Sequence, residues 1–184
     1  MDIMIDIETL ATTPDAVVLS IGAVEFDPLS GETGKTFYRN LLQVDQYCRN
    51  VDKDTLKWWE KQSSKARAAL MRPAPSNCRE ALRDLKEFCK DATRLWANSP
   101  QFDLTILANL GDEMGVQDMW PYWKATDFRT LKALAQLSGR SVAKPKVSHH
   151  ALEDCFSQIT QVVVLLSVLG LTPPDTDTVD SSKD

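Results

Sequence analysis

Cysteine is scarce in this sequence and badly spaced for any covalent or metallic staple. Cys48, Cys78, Cys89 and Cys155 form no CxxC pair and stand at no zinc-finger distance from either histidine. That argues against a disulfide scaffold and a structural zinc site, and reduced thiols packed as small apolar residues are expected. Long apolar runs are missing too. The longest, QVVVLLSVLGL, is bounded by Gln161 and broken by Ser167 and Gly170, short of the roughly 20 residues that a membrane span needs. Asp2 stands where a secretory leader would be basic, so a cytoplasmic setting without a membrane partner is expected. There is no internal repeat, and no stripe of lysine and arginine suited to gripping a duplex.

The net charge of −5 at first opposes a polyanionic partner. Its distribution weakens that objection. The last thirteen residues, TPPDTDTVDSSKD, hold four aspartates against one lysine. Four more carboxylates are singled out below as metal ligands, so the remainder is weakly positive. With 43% hydrophobic and 26% charged residues among 184, the composition is that of a globular chain long enough for one domain with a real core. That domain is expected over residues 1–171, with the acidic segment 172–184 as a disordered tail.

What is present begins with MDIMIDIETL. A period of two sets Ile3, Ile5 and Ile7 on one side of a strand over residues 2–9, and Met4, Asp6 and Glu8 on the other. Two carboxylates on one side of a buried strand repel each other unless a cation sits between them, and a divalent metal is the usual one. Strands are also expected over 16–26 and 36–42, completing an antiparallel meander, with a short fourth over 94–98. Helical periodicity starts at Asp52 and continues to Leu70, before Pro73 and Pro75 interrupt it. Ser76 is expected to cap an amphipathic helix carrying Leu82, Leu85, Phe88 and Cys89. The helix that follows Pro100 stops at Gly111 or Gly115, and a short strand with a helix ending at Gly139 comes next. A loop, SVAKPKVS, leads to the last and most apolar helix. Strands first, then alternating helices and strands, predict an α/β layout on a mixed central sheet.

Four acidic residues lie among apolar neighbours: Asp6, Glu8, Asp103 and Asp154. Taken singly, each reads as a solvated charge or a helix-end residue. Together, with His149 five positions before Asp154, they outline an oxygen-rich site whose buried charge two Mg²⁺ or Mn²⁺ ions would offset. In this respect the chain resembles the DEDDh 3′-to-5′ exonucleases of the ribonuclease H-like superfamily. The first family motif appears as Asp6-Ile7-Glu8-Thr9, the second as Asn98 through Phe102-Asp103, and the third as His149 followed by Asp154. The resemblance covers residues 2–169 and is closest to the small ribonuclease T-like and phage-type members, with which the segment Asp127-Phe128-Arg129-Thr130-Leu131 is shared.

The resemblance implies a three-layer fold with helices on both sides of the sheet, and release of nucleoside 5′-monophosphates from 3′ ends. It implies that Asp6, Glu8, Asp103 and Asp154 hold two divalent metal ions, Mg²⁺ or Mn²⁺, and that His149 is the general base. Five positions of an ideal helix turn a side chain by about 140°, so His149 is expected in the loop ahead of the helix that carries Asp154. His150 is the competing base, at the wrong spacing for the motif. Thr9, Leu10, Asn98, Phe102 and Trp59 are the expected substrate contacts; of the adjacent Trp58 and Trp59 one is expected to pack and the other to stack on a base, with core packing of both as the competing reading. Lys53, Lys57, Lys61 and Lys65 form a basic helix face that is solvated or meets phosphates. The expected partner is single-stranded DNA or RNA at its 3′ end, and homodimer formation is carried over from the resemblance. Two other classes compete: a catalytically inactive binding module on the same fold, and a ribonuclease H-type endonuclease.

Overall fold

The computed structural model describes residues 1–70, 75–140 and 147–171. Pro73, Pro145, most of the expected 141–148 loop and the acidic tail lie outside the described residues. The alternation read from the first residues is realised in β1 (Asp2–Thr9), the middle strand of a five-stranded sheet. β2 (Val18–Phe26) and β3 (Thr33–Asn40) extend it antiparallel on one side. Their connecting turn is tightened by Asp27, whose Oδ1 accepts the N–H groups of Leu29 and Ser30.

Helices α1 (Lys53–Glu60), α2 (Ser64–Leu70) and α3 (Cys78–Cys89) come next. Asp52 caps α1 by accepting the Thr55 N–H. The single helix expected from Asp52 to Leu70 is thus two. The first ends at Glu60 with Lys61 as its C-cap, and Ser63 starts the second, its hydroxyl accepting the Ala66 N–H as an N-cap does. The lysine face is divided as well, because Lys65 stands on α2 and pairs with Glu153. The cap of α3 is Asn77, whose Oδ1 accepts the Glu80 N–H, and not Ser76. The backbone of Ser76 is already engaged as a strand, donating to the Asn40 carbonyl and accepting from the Leu42 N–H, so the helix starts one residue later.

β4 (Leu95–Ala97) and β5 (Ala125–Asp127) add parallel strands beyond β1, giving the order β3-β2-β1-β4-β5. Between them lies α4 (Asp103–Glu113), which runs past Gly111 and is closed by Gly115 at φ +69°, the left-handed position that glycine takes without strain. α5 (Phe128–Leu137) is capped by Asp127, and α6 (Ala151–Val168) is the last helix among the described residues.

Apolar burial divides the helices between the two sheet faces. Ile3, Ile5 and Ile7 pack with Leu82 and Leu85 of α3 and Leu104 and Leu107 of α4. Met4 packs on the other face with Phe128 and Leu131 of α5 and Cys155 and Ile159 of α6. The three-layer mixed architecture is therefore as expected. Cys78, Cys89 and Cys155 are buried and free, and burial pushes the thiols of Cys78 and Cys89 up to about 12, so they are inert fillers. α6 is long and apolar enough to cross a membrane by length and composition, but half of it is buried within this protein.

One close approach sets the position of α6. Gly22 of β2 lies opposite Asp6 in the register, and a Cβ there would come 2.4 Å from the Ala151 carbonyl carbon. Only a residue without a side chain lets the start of α6 touch the sheet beside β1. Gly22→Ala is expected to push the helix outward at about 1–3 kcal/mol, lowering Tm by roughly 3–10 °C. Thermal unfolding checks this, and an unchanged Tm would show that the contact is not so close.

Candidate active site

β1 and β4 pair in register only at Ile3–Leu95 and Met4–Trp96. β4 ends at Ala97, and the far half of β1 is left without a strand partner on that side. The chain turns back there into α4, whose first residue is Asp103, and Asp103 Oδ1 accepts the Ile7 N–H at 3.2 Å. A carboxylate thus takes over where the ladder stops, next to Asp6 and Glu8. On the opposite side, the approach of α6 at Gly22 brings in Asp154 from its first turn. Donor atoms of Glu8, Asp154 and His149 lie within 4.8 Å of one another.

Each anchoring contact has a named donor. The Ser148 N–H (2.8 Å) and hydroxyl (3.1 Å) both donate to Asp154 Oδ1. Gln158 Nε2 donates to Asp6 Oδ1 at 2.7 Å. His149 has φ +54° in the loop just before α6, as the spacing to Asp154 predicts. His150 begins the helix instead, buried and stacked on Tyr38 with ring centroids 4.6 Å apart.

Crowding and burial make Asp6, Glu8 and Asp103 resist ionisation. Burial, reinforced by the charges of Asp103, Glu8 and Asp154, holds Asp6 well above the usual carboxylate range, against the opposing donor from Gln158. Burial and the charges of Asp154 and Asp103 raise Glu8 to about 8. Burial raises Asp103 to about 7, offset by the Ile7 N–H and by Arg129. Arg129 is the one cationic side chain among the described residues lining this cleft. Four hard oxygen donors short of positive charge fit Mg²⁺ or Mn²⁺.

The cleft has a volume of about 870 Å³ and is bordered by Asp6, Glu8, Asp103 and His149. Thr9, Asn98, Phe102, Trp58 and Trp59 line it too, so the structure brings these sequence-predicted residues together. Their details differ. The Thr9 hydroxyl donates to the Ala11 carbonyl, and Asn98 Oδ1 accepts from Lys132. Leu10 is not among the cleft residues; it packs against the small cluster of Val17, Leu19, Trp59 and Ala66. Trp59 is 6% exposed and its indole N–H is spent on the Thr9 carbonyl, whereas Trp58 is 41% exposed and meets His149 edge-on at 4.7 Å. The indole open to a ligand is therefore Trp58. Sequence reasoning also passed over Gln158, Ser148 and Arg129. A glutamine one turn after Asp154 on an apolar helix was a readable sign, and Arg129 was marked only as part of the segment 127–131, without a role.

The chain belongs to the family of Rv2179c-like 3′-5′ exoribonuclease domains, whose family model matches residues 1–166. Solved structures agree on the fold. Exonuclease I of E. coli, in complex with a dT13 oligonucleotide, is similar with a TM-score of 0.67 at 14% identity, over 90% of this chain and 40% of that one. This chain thus spans well under two thirds of Exonuclease I. Cell-death related nuclease 4 (CRN-4) is similar with a TM-score of 0.59 at 12% identity, over 92% of this chain and 65% of that one. The nuclease domain of 3′hExo, a DEDDh family member bound to rAMP, gives 0.55 at 13% identity, over 91% and 92%. The fold is that of the DEDDh exonucleases, as the motifs predicted. Among curated proteins, none matches the chain by sequence.

The raised carboxyls of Glu8 and Asp103 link stability to pH. A folded-state value above the unfolded one means stability that is complete below about pH 4 and lost as pH rises through the folded values. Without metal, Tm is expected to fall between about pH 5 and about pH 9, and Mn²⁺ should flatten the decline. Asp6→Asn in chelator should melt at or above the wild-type temperature at the alkaline end, because it relieves like charge. A drop of several degrees would mean that the Asp6 carboxylate is structural.

Proposed function

We propose that this protein is a metal-dependent 3′-to-5′ exonuclease that hydrolyses the terminal phosphodiester bond of single-stranded nucleic acid or of 3′ overhangs, releasing nucleoside 5′-monophosphates. The observation that carries this is the meeting of Asp6, Glu8, Asp103 and His149 in one cleft, with donor atoms of Asp154 within 4.8 Å of those of Glu8 and His149, in a chain of an exoribonuclease family. Residues 1–171 make up the exonuclease domain, with a cytoplasmic setting and no membrane partner. Homodimer formation is the arrangement that the resemblance implies.

In this mechanism the four carboxylates would hold two divalent ions, Mg²⁺ or Mn²⁺, which when bound supply positive charge for the attacking and leaving oxygens. His149 takes the proton from the attacking water, as a loop residue that faces the cleft without being fixed in α6. Water adds to the terminal phosphorus, the bond to the 3′-oxygen of the preceding nucleotide breaks, and that oxygen leaves with a proton. Ser148 holds Asp154 in place through two hydrogen bonds. Trp58 offers an exposed ring for the terminal base, and Phe102 borders the ribose. The family's description favours RNA, while the oligonucleotides in the Exonuclease I complexes are DNA.

Matched 5′-labelled RNA and DNA strands, with Mg²⁺ or Mn²⁺, test the reading. A ladder of products shortened from the 3′ end and monophosphate release are expected from wild type, and neither from Asp103→Asn. A closed circular strand should survive; rapid nicking of it that Asp103→Asn abolishes would make the enzyme an endonuclease.

His149→Ala is expected to lower kcat by about 10²–10⁴-fold, the usual loss on removing a general base, with oligonucleotide and Mn²⁺ affinities near wild type. A kcat within threefold of wild type would remove His149 from the base role.

A further inference from the structure

Three of the four carboxylates have one oxygen engaged by a neutral donor of the protein. For Asp103 the donor is the Ile7 N–H, and for Asp154 it is Ser148. For Asp6 it is a side-chain amide, that of Gln158, at 2.7 Å. Gln158 stands one turn after Asp154 on α6 and is 6% exposed, on a helix whose neighbouring buried residues are Cys155, Ile159 and Val162. Packing alone gives no reason for an amide there. Its Oε1 is buried with no hydrogen-bond partner among the described residues, a deficit that a leucine of similar size would not carry. The unpaired carbonyl is tolerated for what the other end of the amide does.

We infer that Gln158 is the positioning residue for Asp6, its amide N–H fixing the rotation of the carboxyl group and reserving Oδ2 for a divalent cation. The inference rests on the metal-dependent reading above. Donors behind a ligand hold it in the geometry that the ion requires, and removing one typically weakens metal binding by about 10–100-fold. Gln158 also ties the helix that delivers Asp154 to the strand that delivers Asp6, so one hydrogen bond sets two ligands relative to each other. A role confined to the core would instead appear as lost thermal stability with metal affinity intact.

Titration calorimetry with Mn²⁺ on the wild type, Gln158→Leu and Asp6→Asn tests this, with thermal unfolding in chelator alongside. Gln158→Leu is expected to bind Mn²⁺ about 10–100-fold more weakly while melting at or above the wild-type temperature without metal. The Mn²⁺ concentration for half-maximal activity should rise by a similar factor, and kcat at saturating Mn²⁺ should fall by a smaller one. Gln158→Met, with a flexible apolar stem, repeats the measurement if the leucine fails to fold. Wild-type affinity within twofold in the substituted protein, with Asp6→Asn losing binding, would overturn the role of Gln158 alone. Absence of Mn²⁺ binding by the wild type would overturn the metal reading itself.

Discussion

Repulsion among four carboxylates at the end of one strand is the constraint around which this protein is arranged. Asp6 and Glu8 share the side of β1 that faces α6, because they follow Met4 at a period of two. Asp103 and Asp154 are brought to the same place by helix starts from opposite layers of the sheet. The elements that deliver the charges are held chiefly by uncharged contacts, Gly22 under α6 and the apolar rows of Ile3, Ile5 and Ile7, while the start of α4 is also tied to β1 through the Asp103 carboxylate. The hydrophobic core holds together what electrostatics would separate.

The architecture explains why the cleft opens where it does. β1, β4 and β5 run parallel, and β4 and β5 are only three residues long, so the sheet recedes on that side just as β1 reaches its carboxylates. Ligand sites in α/β proteins favour the carboxyl ends of such strands, where loops and helix starts converge. Here the walls are α1, with Trp58, and the turn from Asn98 to Phe102. The family membership and the likeness to DEDDh nuclease folds agree with that layout.

Much of this was readable before any coordinates, because it is local. The alternation of β1, the mixed sheet, the loop position of His149 and the candidate ligands each follow from periodicity or from a motif a few residues long. What escaped depends on residues far apart in the chain. Ser76 looks like a cap until the carbonyl of Asn40 claims its N–H, and Trp58 and Trp59 are equivalent until the Thr9 carbonyl selects one of them. Gln158 acquires meaning only beside Asp6, and Arg129 only beside Asp103. Leu10 reads as a substrate contact by its place after the motif, yet it packs against the cluster of Val17, Leu19 and Trp59.

The order of the elements along the chain has a consequence for how such a protein is made. Asp6 lies on the first strand and Asp154 on the last helix, with the whole sheet between them. During synthesis from the N-terminus, β1 to β4 and α4 emerge well before α6, which supplies Asp154, Ser148's partner, and much of the cover over one face of β1 and β2. Until α6 is made, the chain therefore lacks the Asp154 carboxylate. The acidic cluster is complete only once α6 has packed against the sheet.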